Sequence, residues 1–186
     1  DKKLYSLRDV TGTVSSIPLI ASSIMSKKLA IYSDAIILDV KVGNGAFMKT
    51  LPEAEELAQT MLKIGKGFGR KIVAVISNMD QPLGCAVGNA NEVIEAIETL
   101  KGNGPEDFTE LVYNIAALAL KLKGEVSTTE EGIKKVEEVI ANKSALEKFA
   151  LFIKESGGNP EIVNDYSLLP GFDSELEVLS EKEGYV

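Results

Sequence analysis

The chain has 186 residues, 45 % of them apolar, which is enough for one ordinary domain with a core and unlike a disordered chain or a fibre. Its 20 Lys and Arg are scattered among 28 Asp and Glu for a net charge of −8, so no basic stripe is available to neutralise a phosphate backbone, and nucleic acid is not an expected partner. There is no histidine and a single cysteine, Cys85, which excludes an imidazole base, a zinc-finger ligand set and an internal disulfide.

In chain order, DKKLYSLRD has no apolar h-region of a signal peptide. No apolar run in the chain approaches the roughly 20 residues of a membrane span, so a cytoplasmic setting is the expectation. LRDVTGTVSSIPLIASSIMSKKLA reads as an arginine, Arg8, on a loop, then a helix from a cap at Ser15 or Ser16 to about Ala30, with Pro18 in its first turn. DAIILDVKVG is a continuous apolar run of the kind a buried parallel strand shows, ending near Val42. Leu51, Ala54, Leu57, Ala58, Met61 and Leu62 then recur at helical spacing up to about Gly65, and RKIVAVISN is a second buried strand, which completes a β-α-β unit. NANEVIEAIETLKG is a capped helix ending at Gly102. Two or three further helices follow between Pro105 and about Ser156. After the break at Pro170 and Gly171, ELEVLSEKEGYV reads as the start of a separate β element. The expected class is α/β, with helices flanking a mixed or parallel sheet. Parallel sheets usually hold four or more strands, so two strands and a start at Asp1 without methionine read as part of a longer chain.

Three glycine-bearing segments and one helix face are the candidate chemistry. GKGFG ends a helix and precedes a strand, the wrong way round for a nucleotide loop. VGNGAF follows a strand, at the carboxyl end where ligands of α/β sheets sit, but lacks GxGxxG or GxxxxGK[ST] spacing. QPLGCAVGNANE also follows a strand and is rich in turn residues. On the first helix Ser23 and Lys27 are i and i+4, about 40° apart, so hydroxyl and ammonium share one stripe, with Ser16 about two turns back along it and Ile20 beside it. By residue type alone this stripe is equally a solvated face with a snorkelling lysine.

LYSLRDVTGTVSSIPLIASSIMSKKLA, DAIILDVKVGNGAFMK and ISNMDQPLGCAVGNANEVIEAI, in that order, resemble the pyrimidine-nucleoside and thymidine phosphorylases. The match runs with decreasing strength from Asp1 to about Pro170. The resemblance implies phosphorolysis of uridine or thymidine to the free base and a pentose 1-phosphate, with inorganic phosphate as co-substrate and no organic cofactor. It implies that Arg8, Ser23 and Lys27 hydrogen-bond the carbonyl and imide edge of the base, and that Val14, Ile20 and Phe47 line the pocket. Asp1 falls where the family has a carboxylate near the sugar. A potassium ion would be held by oxygens at Leu83, Ala86 and Glu95, a donor set that suits a hard cation.

The family's architecture implies a segment of a helical lobe over residues 1–30, part of an α/β lobe over 31–173 and the start of a β-rich portion over 174–186, within a cytoplasmic homodimer. The family's phosphate-binding segment of lysine, serine, threonine and glycine does not occur among these 186 residues, so this chain by itself is expected to be inactive. Tyr32, Asn78 and Asn91 depart from the family pattern without removing a base contact. Two other readings stay open: a non-catalytic folded module, and a related anthranilate-type phosphoribosyltransferase, whose glycine- and aspartate-rich motifs are absent here.

Overall fold

The computed structural model describes residues 2–184. Helix α1 (Lys2–Val10) carries Arg8 in its last turn, so Arg8 stands on a helix and not on the loop expected from sequence. Nothing in α1 is buried, and Leu4, Leu7 and Val10 are all exposed. Helix α2 (Ile17–Ala30) starts with Pro18 in its first turn, where a missing N–H costs nothing, and buries Ile20, Ala21 and Met25.

Strand β1 (Ala35–Val42), helix α3 (Leu51–Gly67) and strand β2 (Lys71–Asn78) form the β-α-β unit. The two strands pair in parallel, in register from Ala35 opposite Lys71 to Val42 opposite Asn78. One apolar cluster joins α2, β1 and α3 through Ile20, Met25, Leu38, Val40, Leu57 and Met61. Thr50 and Glu53 form a reciprocal capping box at the start of α3, and the helix ends in the GKGFG turn, where Gly69 takes φ +71°. Gly65 lies so close to β2 that a Cβ there would meet Ile72 Cδ1 at 2.6 Å.

The strands differ from the fully buried pair expected. In β1, Ile36, Leu38 and Val40 are buried while Asp39 is exposed, and the interior of β2 is only half-buried. Period-2 geometry explains this: one sheet face packs on α2 and α3, and the other carries Asp39, Lys41 and Ser77 toward a more open side.

Four helices complete the described chain: α4 (Asn89–Lys101), α5 (Glu106–Lys123), α6 (Thr129–Ala141) and α7 (Ser144–Glu155). Gly102 terminates α4 in the left-handed conformation, as its place in the sequence led one to expect. Two 3-10 turns, Pro160–Val163 and Tyr166–Leu168, follow. Residues 174–184 contain no strand, so the β element expected there does not form among the described residues. Their large apolar side chains, Leu176, Val178 and Leu179, are 80 % or more exposed, and no second strand lies beside them to accept a ladder.

Candidate functional site

Helices α1 and α2 open a cleft of about 520 Å3 whose wall includes Tyr5, Arg8, Thr13, Ser22 and Ser23. The Arg8 guanidinium lies 4.9 Å over the Tyr5 ring and donates from Nη2 to the carbonyl of Val14, which fixes the loop entering α2. Arg8 Nε is buried without a partner. On α2, Lys27 Nζ donates to Ser23 Oγ at 2.9 Å and to the Ser23 carbonyl at 3.1 Å, the one-turn contact that their spacing allows. Arg8 and Ser23 thus share one cleft, Lys27 is bonded to Ser23, and Val14 is reached through its backbone.

Ile20 and Phe47 fall on the other flank of the same helix. They line an apolar cavity of about 630 Å3 together with Ile24, Lys28, Met48 and Met79. Helical spacing puts Ile20 about 20° and Ser23 about 40° from Lys27, so that ridge of α2 separates the cleft from the cavity. Phe47 sits on the loop after β1, and Ile20 is buried at its inner edge. The far end of this loop is tied to α3: the N–H groups of Lys49 and Thr50 donate to Glu53 Oε2, and these bonds hold the Glu53 carboxyl below its ordinary range.

The loop after β2 wraps a carboxylate. Cys85 N–H and Ala86 N–H donate to Glu95 Oε1 at 2.8 and 2.9 Å, while Gly84, at φ +72°, lies so close that a Cβ would stand 2.3 Å from Glu95 Oε2. Gly84 N–H donates to Asp107 Oδ2 at the start of α5. Leu83, Ala86 and Glu95 border one cavity of about 500 Å3. Among the described residues no three His, Cys, Asp or Glu side chains gather as metal ligands, so an ion held here would depend on backbone carbonyls beside Glu95. Asp1 lies outside the described residues.

One polar constellation was not singled out from sequence. Lys41 Nζ pairs with Asp39 Oδ2 at 2.7 Å and donates to Ser77 Oγ at 2.9 Å, and Ser77 Oγ–H donates to Asp39 Oδ1. The signal was present as two charges at i and i+2 in the run ILDVKV, which a strand puts on one face. Asp39 and Lys41 also border the Phe47 cavity, and Lys41 reaches the cavity at Glu95. Among the described residues no helix is long and apolar enough to cross a membrane.

Residues 1–146 match the model of the glycosyl transferase family, a/b domain. All 186 residues align at 56 % identity with a pyrimidine-nucleoside phosphorylase of Bacillus subtilis (strain 168). The corresponding proteins of Staphylococcus haemolyticus (strain JCSC1435) and Staphylococcus aureus (strain USA300) are 55 % and 54 % identical over the same length. The chain spans 43 % of the length of each of these relatives.

Proposed function

We propose, on the premise that this chain belongs to the glycosyl transferase family by its a/b domain, that it forms the base-binding part of a pyrimidine-nucleoside phosphorylase. In the full-length protein the reaction is the phosphate-dependent cleavage of uridine, thymidine or both to the free base and a pentose 1-phosphate. The observation that carries the reading is the bonded pair Ser23–Lys27 beside the Arg8 cleft, on a helix whose opposite flank faces Phe47. The sequence motifs that resemble the pyrimidine-nucleoside and thymidine phosphorylases include these residues.

The chemistry follows from charge. As phosphate attacks C1′ and the glycosidic bond breaks, electron density moves into the departing pyrimidine ring. Cationic donors at its exocyclic oxygens stabilise that charge, and donors fixed in advance need no reorganisation when it appears. Arg8 supplies a planar fork and Lys27 a point charge, while the Ser23 hydroxyl can donate or accept at the imide edge. The resemblance implies that Val14, Ile20 and Phe47 enclose the ring and that the carboxylate at position 1 serves the sugar. The sugar passes through an oxocarbenium-like state with no covalent enzyme intermediate, so positioning and electrostatics supply the acceleration.

Leu83, Ala86 and Glu95 would hold potassium through two carbonyls and a carboxylate; the three residues border one cavity, and an oxygen-only donor set suits a hard cation. Its contribution is to the shape of the loop after β2 and not to bond breaking. The same reading makes the full-length protein a cytoplasmic homodimer.

The test is release of uracil from uridine, and of thymine from thymidine, by the full-length protein with and without inorganic phosphate. Phosphate-dependent release of either base is the expected result; binding of base without turnover would instead support a non-catalytic module. For the cation site, potassium chloride should raise the melting temperature of the full-length protein above that in tetramethylammonium chloride. The increment should vanish in Glu95→Gln.

A further inference from the structure

We infer that Asp80 is a positioning residue for the base pocket: its carboxylate, just past the end of β2, sets the glycine loop that carries Phe47. The inference rests on the reading of Phe47 as a wall of the base site.

Phe47 is 64 % exposed, so burial does not fix its ring, and its place depends on the backbone of residues 43–48. Four successive N–H groups define that backbone. Gly43 donates to the Met48 carbonyl at 3.0 Å and Ala46 to the Gly43 carbonyl at 3.0 Å, which only fold the loop on itself. The other two tie it to the end of β2: Gly45 donates to the Met79 carbonyl at 2.8 Å and Asn44 to Asp80 Oδ1 at 2.9 Å. The Asn44 bond is the one of the four accepted by a side chain, and by a carboxylate, which makes it a charge-assisted bond.

Asp80 is itself held in place. Its N–H donates to Asn78 Oδ1 at 2.9 Å, and the preceding Met79 N–H donates to the Val42 carbonyl at 2.7 Å. Gly43 takes φ +128°, and a Cβ there would stand 2.5 Å from Asp80 Oδ1 and 2.8 Å from Asp80 N. A glycine at 43 is therefore what lets the carboxylate lie flush on the loop. On the far side Lys49 Nζ donates to the Asn44 carbonyl at 2.9 Å, so the two peptide groups flanking the Asn44 Cα are each held by a charged side chain.

The test uses the full-length protein and steady-state kinetics with each substrate varied in turn. Asp80→Ala should raise KM for the nucleoside threefold or more, with kcat within twofold and KM for phosphate unchanged. Asp80→Asn, which keeps the acceptor oxygen at the same reach, should restore most of the nucleoside KM. Equal losses in the two KM values, or an Asn variant as impaired as Ala, would overturn the positioning role. If the Ala variant yields too little folded protein, Asp80→Ser, which withdraws the acceptor by one bond, should give the same split, and its absence would count equally against the inference. Phe47→Ala is measured alongside. A normal nucleoside KM in Phe47→Ala removes Phe47 from the base site, whereas a raised KM there with a normal one in Asp80→Ala defeats this inference alone.

Discussion

The half of the molecule from α2 to β2 and the half from α4 to the last 3-10 turn are held together by different means. In the first, eleven buried side chains from α2, β1, α3 and the loop between them form one contiguous cluster. In the second, burial is sparse: α5 buries only Ala117, and α7 buries nothing. What replaces it is close approach and polar latching. Gly132 of α6 lies against Ala117 of α5, where a Cβ would meet the Ala117 Cα at 2.8 Å. Tyr166 closes the chain back on α4: its hydroxyl donates to Glu98 and accepts from Lys101 Nζ at 2.7 Å. The elements of the proposed base site lie in or next to the well-buried half, and the helical half bonds the loop after β2 through Asn91, Glu92, Glu95 and Asp107. A site that must hold donors in place as charge develops is thus built beside the part of the chain with the stiffest packing.

That contrast can be broken from either side. Met25 is fully buried in the first cluster, so Met25→Ala in the full-length protein should cost about 2–5 kcal/mol in denaturant unfolding and also raise nucleoside KM, because α2 carries the donors. A large stability loss with unchanged KM would separate the core from the site. Gly132→Val should cost about 1–3 kcal/mol through overpacking against the α5 backbone, with nucleoside KM unchanged. A shifted KM there would show that the helical half shapes the site after all.

Tyr166→Phe is the mildest change, about 1–2 kcal/mol for hydrogen bonds to charged partners. It carries a pH signature. The Tyr166 hydroxyl, then the Asn103 amide and Lys101, hold the Glu98 carboxyl at about 2, down from its ordinary 4.5. A carboxyl depressed in the folded state stabilises above its unfolded value and loses that contribution as protons bind. The latch is therefore fully present above pH 4.5 and fades as pH falls from 4.5 toward 2. Unfolding midpoints of wild type and Tyr166→Phe should converge over that interval, and parallel curves would assign the stabilisation elsewhere.

The same contrast governs what the sequence disclosed. Helices α2 to α7 and both strands announce themselves because each has a stripe, a cap or an apolar run dictated by its packing. Helix α1 is short, has no acidic residue in its first turn and runs into the turn residues DVTGT, so the sequence places Arg8 on a loop. The stretch ELEVLS alternates like a strand, but alternation makes a strand only where a neighbour accepts its hydrogen bonds. The Ser23–Lys27 pair was visible as a one-turn spacing. Asp80 was not, because a carboxylate in NMDQPLG says nothing by itself about an amide 36 positions earlier; only the parallel pairing of β1 and β2 brings the two loop starts together.

The most direct measurement of the central claim is kcat/KM for uridine, and for thymidine, in the full-length protein with Lys27 replaced by alanine. Loss of a charged donor to the leaving base predicts a fall of about a hundredfold or more at saturating phosphate, or about 2.7 kcal/mol of transition-state stabilisation. A value within threefold of wild type for both nucleosides would contradict the assignment of this helix face to the pyrimidine.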